Sequence, residues 1–239
     1  MKDTIKLGVP GIKMVAHRGV SGLERENSSA AFVAAGNRSY YGIETDVHRT
    51  ADGKFIIIHD DTTDRVAGIS CTVEETDFDT LRELRMKDLD GCPRGDLIFP
   101  SLAEYINLCR KYEKEAVLEL KNHFDPRDID EIIAIIRECG WLEHVIFISF
   151  DLPNCLCLRE KLPEQRVQYL VCEFSNDLLE LLVENHLDLD ILFSAIAPEH
   201  VKACHDRGVL VNVWTVNTLE DGQRMADCGV DFITSNILE

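Results

Sequence analysis

A chain of 239 residues with 45% hydrophobic and 28% charged residues has the make-up of a folded globular protein, which excludes disorder. Its formal net charge of −18 excludes a nucleic-acid-binding surface, because no basic stripe offsets it, and disfavours electrostatic docking on an anionic membrane. No secretory segment follows Met1 and no apolar run approaches the roughly 18 residues needed to cross a bilayer, so a cytoplasmic chain without stable membrane insertion is expected. Nine cysteines, an odd number with no disulfide-framework spacing and no C-x-x-C pair, read as free thiols in a reducing compartment.

From residue 13 onward, short β-like runs alternate with amphipathic stretches. Strands are expected at Lys13–Ala16, Gly42–Val47 and Phe55–Ile58, with a helix at Ser28–Asn37 between the first two. Residues 61–100 then break the rhythm. They are polar, carry Gly68, Gly91 and Gly95, and hold one weak helix around Thr80–Leu84, so they read as an insertion covering one mouth of the fold. The alternation resumes with a helix at Ser101–Tyr112 and a strand at Ala116–Leu120. A helix at Pro126–Cys139, a strand at Val145–Phe150, a short helix at Leu152–Lys161 and a strand at Arg166–Val171 follow. The last units are helices at Asn176–Glu184, Pro198–Asp206 and Leu219–Asp227, with strands at Asp190–Phe193, Val209–Val213 and Asp231–Thr234.

Asp125-Pro126 resembles an N-cap followed by proline in the first turn, and Gly140, Gly208 and Gly229 fall just past helix ends. Repeated strand-then-helix spacing argues for parallel βαβ units, and a count near eight favours a closed (β/α)8 TIM barrel over an open sheet. No G-x-G-x-x-G opens a helix after the first strand, which weakens a dinucleotide-binding fold. A single domain over residues 1–239, with its insertion at about 61–100, is the expected organisation.

In such a barrel catalytic groups gather at the C-terminal ends of the strands. That rule selects His17, Glu44, Asp46, His59, Glu119, Lys121 and Trp214. Glu44 and Asp46 alternate with Ile43, Thr45 and Val47, so a strand puts both carboxylates on one face, and Glu119 pairs with Lys121 in the same way. Inward carboxylates on two strands need a counter-charge. A divalent cation supplies it, and oxygen ligands favour Mg²⁺, Ca²⁺ or Mn²⁺ over zinc; the alternative is a set of salt bridges. His17 and His59 sit beside Arg18 and Asp60 and could divide proton transfer between them. His48 is a rim candidate with a structural reading favoured, and His123, His144, His186, His200 and His205 read as structural or surface residues. Arg18 and Lys121 supply positive charge for phosphate oxygens, Lys121 otherwise merely neutralising Glu119. Trp214 is either core or an aromatic wall for an apolar substrate edge. Together these groups suit attack at a phosphate ester.

The set resembles the glycerophosphodiester phosphodiesterase family. The motifs that carry the likeness are His17-Arg18-Gly19, Glu26-Asn27-Ser28, Glu44-x-Asp46, and His59-Asp60-Asp61 with Arg65. Phe99-Pro100-Ser101-Leu102, Glu119-Leu120-Lys121 and Val213-Trp214-Thr215-Val216-Asn217 continue it over almost the whole chain. The resemblance implies a TIM barrel with a small insertion after the second strand region. It also implies Glu44, Asp46 and Glu119 as metal ligands, His17 and His59 as the general acid/base pair, and Arg18 and Lys121 as phosphate-binding groups. The activity implied is hydrolysis of small-molecule glycerophosphodiesters to an alcohol and sn-glycerol 3-phosphate, in one route through a cyclic phosphate that water opens. Two departures stand out: Ser28 replaces the usual threonine, and Thr234-Ser235-Asn236 stands where Thr-Asp followed by Pro is common, with little chain left for a closing helix. The rivals are a lysophospholipase D or sphingomyelinase D-like activity, which needs an apolar groove, and a catalytically silent phosphodiester-binding barrel. The alcohol, the physiological ion and the oligomeric state are open at this level.

Overall fold

The structure is a computed structural model that describes residues 3–239. Nine strands run through one sheet: β1 (Lys13–Ala16), β2 (Gly42–Arg49), β3 (Phe55–Ile57), β4 (Glu115–Leu120), β5 (Val145–Ser149), β6 (Arg166–Val171), β7 (Asp188–Leu192), β8 (Val211–Trp214) and β9 (Phe232–Ser235). Eight of them, all but β3, are parallel and close on themselves, because β1 pairs with both β2 and β9. The result is a TIM (β/α)8 barrel.

The helices lie between the strands: α1 (Ser29–Gly36), α2 (Asp64–Ala67), α3 (Phe78–Glu83), α4 (Leu102–Lys111), α5 (Pro126–Glu138), α6 (Leu152–Lys161), α7 (Asn176–Glu184), α8 (Pro198–Asp206) and α9 (Leu219–Cys228). Their starts follow from capping chemistry. Ser101 and Glu104 form a reciprocal capping box at α4, while Ser28, Asp151, Ser175 and Thr218 each accept a backbone N–H at the head of their helix. No helix among the described residues is long and apolar enough to cross a membrane.

Strand alternation sorts the core into two layers. Ile43, Leu118, Phe147, Leu189, Val213 and Ile233 point outward and are sealed by Phe32, Ile106, Ile132, Leu158, Leu182 and Met225 from the helices. Each such fully buried aliphatic or aromatic side chain stabilises the fold by about 1.5–3 kcal/mol. Val15, Val117, Ile146, Ile148, Leu170 and Phe232 form a smaller interior cluster. At the N-terminal ends of the strands, Tyr41 and Phe232 meet edge-to-face at 5.9 Å, with Lys13 Nζ 4.7 Å above the Phe232 ring. Apolar and aromatic packing occupies that end of the barrel interior, and the polar groups at the opposite end line a cavity.

The third expected strand is real but has a different role. β3 is antiparallel to β2, pairing Val47 with Ile57 and Arg49 with Phe55, and therefore stands outside the barrel. Beyond it, residues 58–100 contain α2, α3 and a 3-10 turn at Val73–Glu75 around their own apolar cluster of Ile56, Val66, Val73, Leu81, Met86, Leu97 and Phe99. The weak helix expected near Thr80–Leu84 is α3. The last expected strand but one starts later than anticipated and includes Trp214. After β9 the backbone pairs with the N-terminal segment, where Ile5 donates to Ile237 and Leu7 to Glu239.

Candidate active site

β1 ends at Ala16 and hands over to His17-Arg18-Gly19, a turn that requires glycine. Gly19 has φ +75° and a Cβ there would lie 2.7 Å from the Ala31 backbone. Arg18 is itself left-handed at φ 53°, and this conformation aims its backbone N–H at Glu44 Oε2, 2.7 Å away. Its guanidinium donates to Glu26 Oε1 at 2.8 Å and lies 3.5 Å from Asp46 Oδ2. Asn27, also left-handed, donates to Asp46 Oδ2 at 2.7 Å and accepts from Thr45 Oγ1 at 2.7 Å. Ser28 keeps the capping hydroxyl of α1. The three residues of the Glu26-Asn27-Ser28 motif thus hold an arginine, an aspartate and a helix in place. Sequence reasoning quoted the motif without finding these duties.

The β2–β4 register sets Asp46 beside Glu119. Oxygens of Glu44, Asp46 and Glu119 lie within 4.8 Å of one another, and all three side chains are buried. Lys121 Nζ lies 2.9 Å from Glu119 Oε1 and 3.5 Å from Asp46 Oδ1. Burial and the charge of Asp46 push Glu44 well above the usual carboxylate range and Glu119 up to about 8. Burial acts in the same direction on Asp46, but the charges of Arg18 and Lys121 outweigh it and hold that carboxyl well below its ordinary value. Asp46 Oδ1 is buried and accepts no hydrogen bond. Three oxygen donors this close, two of them (Asp46 Oδ1 and Glu119 Oε1) with a buried oxygen that accepts no hydrogen bond among the described residues, fit a hard divalent cation.

Two imidazoles flank the cluster. His17 Nδ1 stands 2.6 Å from Asn236 Oδ1 and donates to it, which leaves Nε2 unprotonated, 3.9 Å from Glu44 Oε2. Burial, then the Arg18 charge, lower its pKa to about 4, so the ring is neutral near pH 7. His59 reaches the same mouth because β3 runs back along β2. Ile58 N donates to the Asp46 carbonyl at 3.1 Å, and His59 follows directly. His59 Nδ1 stands 2.7 Å from Asp60 Oδ1, and Arg65 holds Asp60 through Nε at 2.6 Å. Burial lowers the His59 pKa against the pull of Asp46 and Asp60.

His17, Arg18, Glu44, His59, Glu119, Lys121 and Trp214 line one cavity of about 100 Å³, with Asp46 packed beneath its wall. All eight sequence-selected site residues are therefore brought together. His48 is not at the rim: it is fully buried, its Nε2 3.3 Å from the His59 carbonyl and its Nδ1 3.2 Å from Glu74 Oε1. His123, His144, His186, His200 and His205 lie outside the cavity lining. Phe150, Asp190 and Thr234 line it without having been singled out. Phe150 meets Trp214 edge-to-face at 5.6 Å and forms the aromatic side of the mouth.

Glu26 gives this region a pH signature. Burial alone would raise its pKa, but the hydrogen bonds and charges of Arg65 and Arg18 hold it at about 2, against an ordinary 4.5. A carboxylate depressed on folding contributes stability that is complete above its unfolded pKa and lost as pH falls toward its folded one. Unfolding free energy therefore drops between about pH 4.5 and pH 2, and Arg65→Met flattens this slope. Urea titrations across that range measure it; an acid slope identical in both proteins contradicts the account.

At this end of the (β/α)8 barrel two imidazoles and two cationic side chains surround a cluster of three buried carboxylates. A model of the glycerophosphoryl diester phosphodiesterase family matches residues 17–238. A glycerophosphodiester phosphodiesterase of Caldanaerobacter subterraneus subsp. tengcongensis is 31% identical over 230 residues, covering 93% of each chain. The crystal structure of a glycerophosphodiester phosphodiesterase from Parabacteroides distasonis superposes with a TM-score of 0.80 at 28% identity, covering 96% of this chain and 94% of that one. An Oleispira antarctica phosphodiesterase, solved with its product sn-glycerol-3-phosphate, shares the fold at a TM-score of 0.83 and 23% identity, covering 98% and 96% of the two chains. The chain belongs to the glycerophosphoryl diester phosphodiesterase family and is a phosphoric diester hydrolase.

Proposed function

We propose that the protein hydrolyses glycerophosphodiesters to an alcohol and sn-glycerol 3-phosphate, with a divalent cation, Mg²⁺, Ca²⁺ or Mn²⁺, held by Glu44, Asp46 and Glu119. The observation that carries this reading is the buried trio of carboxylates within 4.8 Å, flanked in one cavity by two imidazoles. Once bound, the cation supplies Lewis-acid polarisation of the phosphoryl group. Arg18 and Lys121 face the same cavity and balance charge on the remaining phosphoryl oxygens. His17 Nε2, kept unprotonated, is the general base that takes the proton of the attacking hydroxyl. His59, its ring held through Nδ1 by Asp60, is the general acid that gives a proton to the leaving oxygen as the P–O bond breaks. Trp214 backs the apolar edge of the substrate. Nine unpaired thiols suit a reducing compartment such as the cytoplasm.

Release of sn-glycerol 3-phosphate from a panel of glycerophosphodiesters tests the proposal, first with EDTA and then with Mg²⁺, Ca²⁺ or Mn²⁺ restored. Cation-restored release is the expected result, and it ranks both alcohol and ion. Silence with every ion moves the assignment to lysophospholipids, and silence there leaves a phosphodiester-binding barrel.

A further inference from the structure

One acid on the cavity floor has no duty in that chemistry. Asp190 stands inside the barrel on β7, is 2% exposed, and shares the cavity lining with Ile148, Leu170 and Trp214. Its register partners are Leu170 on β6 and Asn212 on β8. Leu170 offers it no hydrogen bond, and Asn212 is engaged elsewhere. Asn212 Nδ2 donates to Gln168 Oε1 at 3.0 Å, and its Oδ1 accepts from Thr234 Oγ1 at 3.2 Å. The polar chain across β6, β8 and β9 therefore bypasses Asp190, whose buried Oδ1 has no hydrogen-bond partner among the described residues. Nor does Asp190 belong to the group of carboxylates close enough to share a cation.

We propose that Asp190 receives a hydroxyl of the glycerol moiety and is a specificity-determining residue of the cavity floor. The proposal rests on the reading of this cavity as a glycerophosphodiester site. Burial, then the charge of Glu119, raise the Asp190 carboxyl well above its ordinary value. An uncharged carboxyl donates one hydrogen bond and accepts others, which is also what an alcohol does. A polar group left unpaired inside a barrel destabilises the fold, and a ligand hydroxyl removes that penalty on binding. The location suits the glycerol side of the ester, since every substrate of the class carries glycerol while its alcohol varies. The variable alcohol then falls toward the open side of the mouth at Phe150, which is 42% exposed.

Titration calorimetry with Mg²⁺ present, comparing sn-glycerol 3-phosphate with methyl phosphate, decides the point. In Asp190→Leu, affinity for sn-glycerol 3-phosphate is expected to fall roughly tenfold or more while methyl phosphate changes less than about twofold. Asp190→Asn, which still donates and accepts, retains affinity within roughly threefold of the unsubstituted protein. Melting curves check folding, and Asp190→Leu is expected to melt no lower than the parent because it removes an unpaired polar group. Equal losses for both ligands would mean a damaged cation or phosphate site and overturn the proposal, as would no loss at all. If the parent protein releases sn-glycerol 3-phosphate from no diester, the functional reading fails and this inference with it. If the parent turns over diesters while Asp190→Leu binds the product normally, only the inference fails.

Discussion

His17→Ala and His59→Ala each lower kcat on a glycerophosphodiester by roughly 10²–10⁴-fold, the usual worth of a positioned general acid or base. Neither ring is part of the apolar core, so the melting midpoint of each variant stays near that of the parent. Because the two groups serve one proton inventory, the double variant costs little more than either single one. Leaving-group chemistry separates their roles. An ester of sn-glycerol 3-phosphate with p-nitrophenol needs little protonation of its leaving oxygen. It therefore restores most of the rate lost in His59→Ala and little of that lost in His17→Ala. Equal rescue of both variants would refute the division of labour, and turnover unchanged in both would refute the site.

The second large effect is on stability. In the cation-free protein Glu44 and Glu119 carry raised pKa values, Glu119 up to about 8. An acid whose pKa is raised on folding contributes stability that is present at low pH and lost as pH rises through its folded value. At neutral pH, holding these two carboxyls in the buried cluster therefore costs stability that a bound cation restores. A cation present at about a hundred times its dissociation constant stabilises the native state by about 2.7 kcal/mol. For a chain of this size that corresponds to a rise of roughly 5–10 °C in melting midpoint. Glu44→Gln keeps an oxygen for the Arg18 backbone N–H and removes a carboxyl whose ionisation burial opposes. It is expected to melt a few degrees above the parent without cation, to show little further rise with Mg²⁺, Ca²⁺ or Mn²⁺, and to lose turnover. Differential scanning calorimetry with and without each ion measures both halves. A variant that gains as much from cation as the parent would remove Glu44 from the ligand set.

The amino-acid sequence alone determined the barrel's strand-and-helix rhythm and the shared face of Glu44 and Asp46. Both are local properties, set by the period of a strand and by capping residues a few positions away. It also marked His17, Glu119, Lys121 and Trp214, since the C-terminal end of a parallel strand can be located once the strand is. His59 was selected by the same rule, yet its strand is antiparallel and outside the barrel; it reaches the mouth because β3 returns along β2. Only tertiary structure decided the partnerships. Asp46 stands beside Glu119 through the β2–β4 register, and His17 is oriented by Asn236, which is 219 positions away in the chain. Asn236 belongs to a triplet that departs from the family pattern, so no motif assigned it a role. Asp190 was hidden for a related reason. An aspartate at the start of a predicted strand looks like any solvated polar residue until the barrel closes around it. Whether it then has a partner depends on which neighbours Asn212 has already engaged. Local periodicity says which way a side chain points, whereas closure and register say what it meets there.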